Sequence, residues 1–588
     1  MLKSNTSTES ALFLSAFFDE LMRFGVREVV VSPGSRSTPL AMVAFEASRR
    51  EGGDMRLFLD VDERGAAFFA LGLAKANRRP VCLICTSGTA TANYYPAVLE
   101  AESSRVPLVI LTGDRPPRLQ GLGAPQTCDQ VKLYGDHVRF FQQMPLPASD
   151  ADSVAYARQM AREACIQARG PLGEVSGAPV QVNFPFDEPL KPDLTVEGLF
   201  SAGRSALAEE IPAMMRAPQR LRDDQVAKIV QLLGAHRSVV MCGEGSGETA
   251  AEERALLAWA RDWHLPLLAD PLSGLRSVDD PLVIDNYDNI FGKAKCPAAE
   301  LVIRFGRYPV SKRASMALGA LFPLQIVVDP VQTRDFNAAT DLFVQMTPGD
   351  FVASLRVVAR APHLRQQSFA EDWIARNDAE RVRIAAVAAV SDGFEGAFVY
   401  GLLDCLPADS LLFCANSMSI RALDTFYIKN PKRLHVLCNR GLNGIDGTLS
   451  TALGAAQRFR HATFLTGDLT LLHDLPAFAL QQEMLVHQAR EGYDIPSMVV
   501  VLLNNHGGGI FDMLPQKSTE DYFERLFVTP QAVDFASIAE GFALPYRRVF
   551  TVPDLVDAYS QMVRVPGISL IEIEVPLAGV SQRYAPYQ

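Results

Sequence analysis

Two apolar runs in the last third of this 588-residue chain lead straight into residues equipped for chemistry. His461 to Leu465 runs into Thr466-Gly467-Asp468, and Ser497 to Leu503 runs into Asn504-Asn505-His506-Gly507-Gly508-Gly509. Asp468 offers a carboxylate, Asn505 a side-chain carbonyl and Gly507 a backbone carbonyl. Three such oxygens suit a hard Mg²⁺ that completes its shell with diphosphate and water. The glycines let backbone approach a phosphate with no Cβ in the way. Alone, the same segments read equally as ordinary strand-to-helix turns in which Asp468 caps a helix. A third segment far upstream, Asp62-Glu63-Arg64-Gly65, follows a strand at Arg56 to Val61 and opens an apolar-periodic helix through Ala66, Phe69, Ala70 and Leu73. Glu63 reads either as a catalytic acid or as a first-turn residue favoured by the helix dipole.

Cationic residues stand at comparable places. Arg36, Arg115, Arg421 and Arg440 occupy glycine- or proline-bearing turns at strand ends, where open α/β sheets bind ligands. Guanidinium binds carboxylate through two parallel hydrogen bonds, which lysine cannot reproduce. The set therefore points to multiply anionic small molecules, although any one of these arginines also reads as a solvated charge or a structural ion pair.

The elements that must hold these residues alternate strand and helix, the pattern of parallel sheets covered on both faces. Strands are predicted at Val26-Val31, Arg56-Leu59, Val81-Cys85, Leu108-Leu111 and Val180-Asn183, before a proline-rich exit from Phe184 to Pro192. The rhythm resumes at Ser238-Cys242, Leu265-Ala269, Leu301-Phe305 and Leu324-Val328, and again at Leu411-Ala415, Arg433-Cys438, Ala462-Leu465, Met498-Leu503 and Ile568-Glu574. The expected fold is α/β, with three parallel-sheet domains at 1-190, 191-370 and 371-588. Ser32 to Arg36 matches Ser417 to Arg421, and a glycine-bearing helix around Gly72 matches one around Gly454, hinting at two like-folded outer domains. Gly243-x-Gly245-x-Gly247 lacks the spacing of a dinucleotide fingerprint.

Composition narrows the classes. A net charge of −11 and the absence of a basic run argue against nucleic acid as a partner. Met1 to Glu9 lacks the basic start and apolar core of a signal peptide, and no apolar run is long enough for a membrane span, so a cytoplasmic protein is expected. Of nine cysteines, Cys82-x-x-Cys85 forms the one close pair; with no second pair to complete a zinc site, buried thiols are expected.

The three chemical segments together resemble the thiamine diphosphate enzymes. Ser32-Pro33-Gly34-Ser35-Arg36-Ser37-Thr38-Pro39-Leu40, Thr86-Ser87-Gly88-Thr89-Ala90, Thr112-Gly113-Asp114-Arg115-Pro116-Pro117, Gly123-Ala124-Pro125-Gln126, Cys438-Asn439-Arg440-Gly441 and Gly444-Ile445-Asp446-Gly447 occur in order. They narrow the resemblance to the 2-succinyl-5-enolpyruvyl-6-hydroxy-3-cyclohexene-1-carboxylate synthases of menaquinone biosynthesis, over essentially the whole chain. That resemblance implies a transferase with like-folded N- and C-terminal domains, for the pyrimidine and for the diphosphate with Mg²⁺ (Mn²⁺ is an alternative). It implies decarboxylation of 2-oxoglutarate and addition of the succinyl semialdehyde carbanion to isochorismate.

Carried over by position, the resemblance makes Glu63 the acid on the cofactor pyrimidine and gives Ser35, Arg36 and Gln126 catalytic places beside it. Arg115, Lys312, Arg313, Ser417, Arg421 and Arg440 are implied to face substrate, with Ile510, Phe511 and Leu514 as an apolar wall. Lys312-Arg313 reads equally as a solvated basic pair. Ile445, Asp446, Gly447, Gly467, Asp468 and Leu469 are implied to hold the cofactor, and Asp468, Asn505 and Gly507 the metal. A homodimer or dimer of dimers is implied, with Glu63 and Asp468 from different subunits. Two features depart from the pattern: Leu469 replaces a glycine, and the span from Asp468 to Asn505 is long, with a polar helical insertion near Gln481-Glu491. That length leaves open which asparagine binds metal. The rival readings are another thiamine diphosphate decarboxylase or ligase, such as an acetohydroxyacid synthase, and a non-catalytic binder of the cofactor.

Overall fold

The computed structural model describes residues 6–50, 55–205, 213–292, 296–320, 324–356, 364–390 and 393–587; Met1 to Asn5 of the Met1 to Glu9 stretch considered above lie outside them. Apolar runs become strands of three six-stranded sheets, parallel throughout. The first comprises β1 (Glu28–Val31), β2 (Arg56–Leu59), β3 (Val81–Cys85), β4 (Leu108–Asp114), β5 (Phe140–Gln143) and β6 (Pro179–Pro185), in the order β2-β1-β3-β4-β6-β5. The second comprises β7 (Ser238–Cys242), β8 (Leu267–Ala269), β9 (Val283–Ile284), β10 (Leu301–Phe305), β11 (Gln325–Val328) and β12 (Leu342–Val344), in the order β12-β11-β10-β7-β8-β9. The third comprises β13 (Leu411–Cys414), β14 (His435–Leu437), β15 (His461–Gly467), β16 (Ser497–Asn504), β17 (Tyr546–Val549) and β18 (Gly567–Glu574), in the order β14-β13-β15-β16-β18-β17.

Numbered within each sheet, the first and third share one winding, 2-1-3-4-6-5, so the terminal domains are alike in fold. The second has the doubly wound order 3-2-1-4-5-6, whose switch point falls between β7 and β10. There a Cβ on Gly243 would stand 2.5 Å from the Arg307 carbonyl, and Arg307 pairs with Glu244 at 3.4 Å.

By packing the chain falls into two compact units. One holds 1–216, 439–460 and 473–496; the other holds 217–438, 461–472 and 497–588. In the first unit, Phe13, Phe17 and Leu21 of helix Thr6–Arg23 and Ala157, Ala161, Ala164 and Ala168 of helix Ala151–Arg169 cover one face of the sheet. Arg158, buried among them, is met by Asp19 at 2.8 Å and Glu20 at 3.0 Å, the partners a buried charge requires. Cys82 and Cys85 are buried free thiols in β3.

Helix Glu63–Asn77 in the same unit crosses helix Thr448–Ala456 where both carry glycine. A Cβ on Gly72 would lie 1.9 Å from the Thr451 carbonyl oxygen, and one on Gly454 1.9 Å from that of Phe69. The polar segment near Gln481-Glu491 is helical, with Leu480–Gln482 continuing into a wider-wound turn at Glu483–Gln488. It closes the β2 edge: Leu59 N–H donates to Glu483 (3.4 Å) and Gln488 donates to the Leu57 carbonyl (2.8 Å).

In the second unit, Trp259 and Phe351 pack around Phe305 of β10. Around the third sheet, Phe398, Leu402, Leu555 and Tyr559 join Val499, Val501 and Ile571 in one core.

Candidate active site

Parallel pairing puts the ends of neighbouring strands side by side, and the chemical residues sit at those ends. β15 and β16 pair through Gly467 and Leu503, so Asp468 and Asn505 leave adjacent strands one and two residues later. The Asp468 carboxyl is buried and its Oδ2 has no hydrogen-bond partner. Burial pushes its pKa up to about 6 against the pull of the Leu469, Asp468 and Gly507 backbone N–H groups.

Asn504 and Asn505 separate cleanly. Asn504 donates to buried Glu572 at 2.7 Å while its Oδ1 accepts the His506 N–H at 3.0 Å, so its amide is committed to the fold. Asn505 Oδ1 accepts only the local Gly507 N–H, at 3.2 Å. The glycine turn is tight as well: a Cβ on Gly507 or Gly508 would come within 2.6 Å of the Val528 or Phe527 carbonyl oxygen, and one on Gly509 within 2.3 Å of Asn505 Nδ2. By contrast Gly467 faces open space, its nearest neighbour 4.0 Å away. Ile510, Phe511 and Leu514 follow half-buried in and just after a turn at Gly509–Met513, with Phe511 against Phe527.

Ser417, after β13, has φ 65° and ψ −128°, a backbone conformation that strains a side-chain-bearing residue. It stands at the head of helix Met418–Phe426, and its carbonyl accepts from Arg421 at 2.7 Å. Lys312 is exposed at the start of helix Lys312–Ala320, whereas Arg313 pairs with Asp288 at 3.2 Å.

The first unit gathers its own set. Asp62 caps helix Glu63–Asn77 by accepting the Arg64 N–H at 3.1 Å, which leaves Glu63 as its first residue. Arg64 donates to the His473 carbonyl at 2.9 Å. At the ends of β1, β3 and β4, Arg36 donates to the Phe186 carbonyl (3.1 Å) and Arg115 to Ser87 Oγ (2.8 Å) and the Pro125 carbonyl (2.8 Å). Gln126, at φ 55°, donates to the Ser87 carbonyl at 3.2 Å, and exposed Ser35 precedes Arg36. Burial and the charge of Arg36 both hold Arg115 below the usual guanidinium range. Glu188, which is largely exposed, reaches Arg36 at 3.3 Å, and Asp114 accepts the Arg115 N–H at 2.7 Å, so an incoming carboxylate would compete with Glu188 for the Arg36 guanidinium. Arg440 is followed by a turn that Glu100 ties down through the Gly441 and Leu442 N–H groups, both at 2.8 Å. Gly447, at φ 59°, fits because a Cβ there would strike Phe68 at 1.9 Å. Ile445 and Asp446 precede it, half-buried.

Residues 13–133 match the family described as thiamine pyrophosphate enzyme, N-terminal TPP binding domain, and residues 417–573 match the corresponding C-terminal TPP binding domain. The chain is 39% identical to the 2-succinyl-5-enolpyruvyl-6-hydroxy-3-cyclohexene-1-carboxylate synthase of Bacillus pumilus (strain SAFR-032), over 96% of this chain and 94% of that one. It is 38% identical to the synthase of that name from Lactococcus lactis subsp. cremoris (strain SK11), over 96% of each chain. The figure for Geobacillus thermodenitrificans (strain NG80-2) is 40%, over 95% and 93%.

The chain belongs to this synthase family. It is therefore a thiamine diphosphate enzyme of the transferase class. Its residues fit that cofactor on their own chemistry. A partnerless buried carboxylate oxygen at Asp468 beside a glycine turn is what a cation bridging to diphosphate needs. Among the described residues no cluster of three His, Cys, Asp or Glu offers a rival metal site. Three acids escape the sequence reading, namely Asp60, Asp474 and Glu483, each buried or nearly so near the Glu63 helix. The doubled acids in Leu59-Asp60-Val61-Asp62-Glu63 are the one signal that marks Asp60 in the sequence.

Proposed function

We propose that this member of the synthase family removes CO₂ from 2-oxoglutarate and joins the remaining succinyl unit to isochorismate. The product is 2-succinyl-5-enolpyruvyl-6-hydroxy-3-cyclohexene-1-carboxylate, for menaquinone biosynthesis. The observation that carries the reading is the Arg36–Arg115 pair, held by Phe186, Ser87 and Pro125 at the end of a buried sheet. Such a pair suits substrates bearing several carboxylates better than a small monoanion.

When bound, thiamine diphosphate supplies the nucleophilic carbon and the electron sink for decarboxylation. Mg²⁺, or Mn²⁺, would be held by Asp468, the Asn505 side-chain oxygen and the Gly507 carbonyl, with Gly467 and Leu469 beside the diphosphate. Ile445, Asp446 and Gly447 would line the same cofactor. Glu63 would hold a proton on the pyrimidine ring, which is the proton movement assigned to this chain. Ser35 and Gln126 would orient the reacting carbonyl, and Ser417, Arg421, Arg440 and Lys312 with the two arginines would bind carboxylates. Ile510, Phe511 and Leu514 would keep water from the carbon nucleophile, and fixing both substrates favours ligation over protonation. In this reading the domains divide at about 190 and 370, a homodimer or dimer of dimers brings Glu63 of one subunit to Asp468 of the other, and the enzyme is cytoplasmic. No helix among the described residues is long and apolar enough to cross a membrane.

The test is turnover with 2-oxoglutarate, isochorismate, thiamine diphosphate and Mg²⁺, following each substrate separately. Equal consumption of both supports ligation; 2-oxoglutarate consumed alone would indicate a simple decarboxylase.

A further inference from the structure

One carboxyl close to Glu63 has no task in the reading above. Asp60 follows β2, is 5% exposed, and donates its backbone N–H to the Val31 carbonyl at 3.2 Å. Its Oδ1 accepts the Asp62 N–H at 3.1 Å, whereas its Oδ2 is buried without a hydrogen-bond partner. That oxygen is aimed at the head of the Glu63 helix: a Cβ on Gly65 would stand 3.0 Å from it and 3.4 Å from the Ser450 hydroxyl. On Ser450 sits a second acid. Fully buried Asp474 accepts the Ser450 N–H at 2.7 Å and its hydroxyl at 3.1 Å.

A buried carboxylate oxygen with no donor is costly, so its retention beside an acid assigned to catalysis calls for a reason. The positive end of a helix dipole favours an ionised carboxylate in the first turn. Activation of the cofactor needs the opposite form, with the proton on. A negative charge under the same turn pushes the balance toward it.

We propose that Asp60 is a positioning residue that keeps Glu63 in its proton-bearing form by placing a titratable charge beneath the first turn of the helix. The inference rests on the reading of Glu63 as the activating acid. Burial first, then the charges of Asp62, Asp474 and Glu63, push Asp60 up to about 7 against the pull of the Asp62 N–H; burial pushes Asp474 up to about 6. Around this group stand Asp62, Glu63 and Arg64 on the helix, His473 and Asp474 on the segment against it, and Glu483 on the Leu59 N–H. Asp60 therefore gains its charge within the working pH range of an ordinary enzyme.

Asp60→Asn keeps the shape and removes the charge. The basic limb of its kcat/KM profile is expected about one pH unit below that of wild type, which is about a tenfold loss at pH 8.5. Asp474→Asn removes a charge facing the same turn and should move the limb in the same direction. A second readout uses protein without cofactor. Because the folded pKa of Asp60 lies above its unfolded value, the stability it allows is full below about pH 4 and is lost as pH rises toward 7. The melting-temperature advantage of Asp60→Asn should thus grow between those values and stay level above. Limbs within about 0.2 pH unit of wild type in both variants, or a pH-independent melting difference, would overturn the proposal; if Asp60→Asn does not fold, the limb of Asp474→Asn decides. Glu63→Gln, run in parallel, separates the two claims. If it stays active, the Glu63 reading fails and takes this one with it; if it is inactive while the limbs are unmoved, only the Asp60 proposal fails.

Discussion

Side chains that resemble one another in sequence have different work here, and neighbours show which is which. Asn504 holds Glu572 and Asn505 does not, a distinction invisible in the sequence because the partner lies 68 positions away on β18. Asn505→Ala is expected to abolish the Mg²⁺ dependence of cofactor binding, read by fluorescence titration. Asn504→Ala should instead cost about 1–3 kcal/mol of stability by leaving Glu572 short of a donor. Glu63→Gln should lower kcat by about 10²- to 10⁴-fold while cofactor affinity stays within a few fold. Ser417 stands at φ 65° and ψ −128°. Ser417→Gly is expected to raise stability by about 1 kcal/mol in chemical denaturation and to raise the KM for isochorismate, the pattern of strain kept for function.

At the scale of elements, the packing of helix Glu63–Asn77 on helix Thr448–Ala456 depends on two glycines. Gly72→Ala or Gly454→Ala would drive a Cβ to within 1.9 Å of backbone oxygen; each is expected to cost about 1–3 kcal/mol or more and to lower the melting temperature measurably. Those glycines stood out in the sequence as a repeat, and the shared winding of the first and third sheets gives the repeat its structural meaning. Interior strands were legible because parallel strands covered on both faces read as unbroken apolar runs; Val81–Cys85 and Leu301–Phe305 fall where their runs predict. The four strands without such a signal, β5, β9, β12 and β17, all lie at sheet edges, and three of them are short of full burial. An edge strand carries polar residues on its open side, so Phe140–Gln143 and Tyr546–Val549 look like loops until a neighbour pairs with them. The site motifs were legible for a related reason: strand-end turns keep chemistry and backbone geometry in one short stretch. Asp60, Asp474 and Glu483 did not stand out, since they come together only where distant segments close around the Glu63 helix.

For the molecule as a whole, an acidic chain with net charge −11 that sets Arg36 and Arg115 at the ends of one sheet would place guanidinium groups where the proposed carboxylate substrates enter. If Glu63 and Asp468 serve one site from two subunits, mixing Glu63→Gln with Asp468→Ala after dissociation and reassociation should restore about a quarter of wild-type activity, because each mixed dimer regains one intact site. No recovery on mixing would place both residues in one subunit's site. The reaction itself is tested most directly by mass spectrometry of the products formed from uniformly ¹³C-labelled 2-oxoglutarate and unlabelled isochorismate. The expected product is an adduct carrying every labelled carbon except C1, which leaves as ¹³CO₂, formed only with thiamine diphosphate and a divalent cation present. Labelled succinic semialdehyde with isochorismate left intact would contradict it.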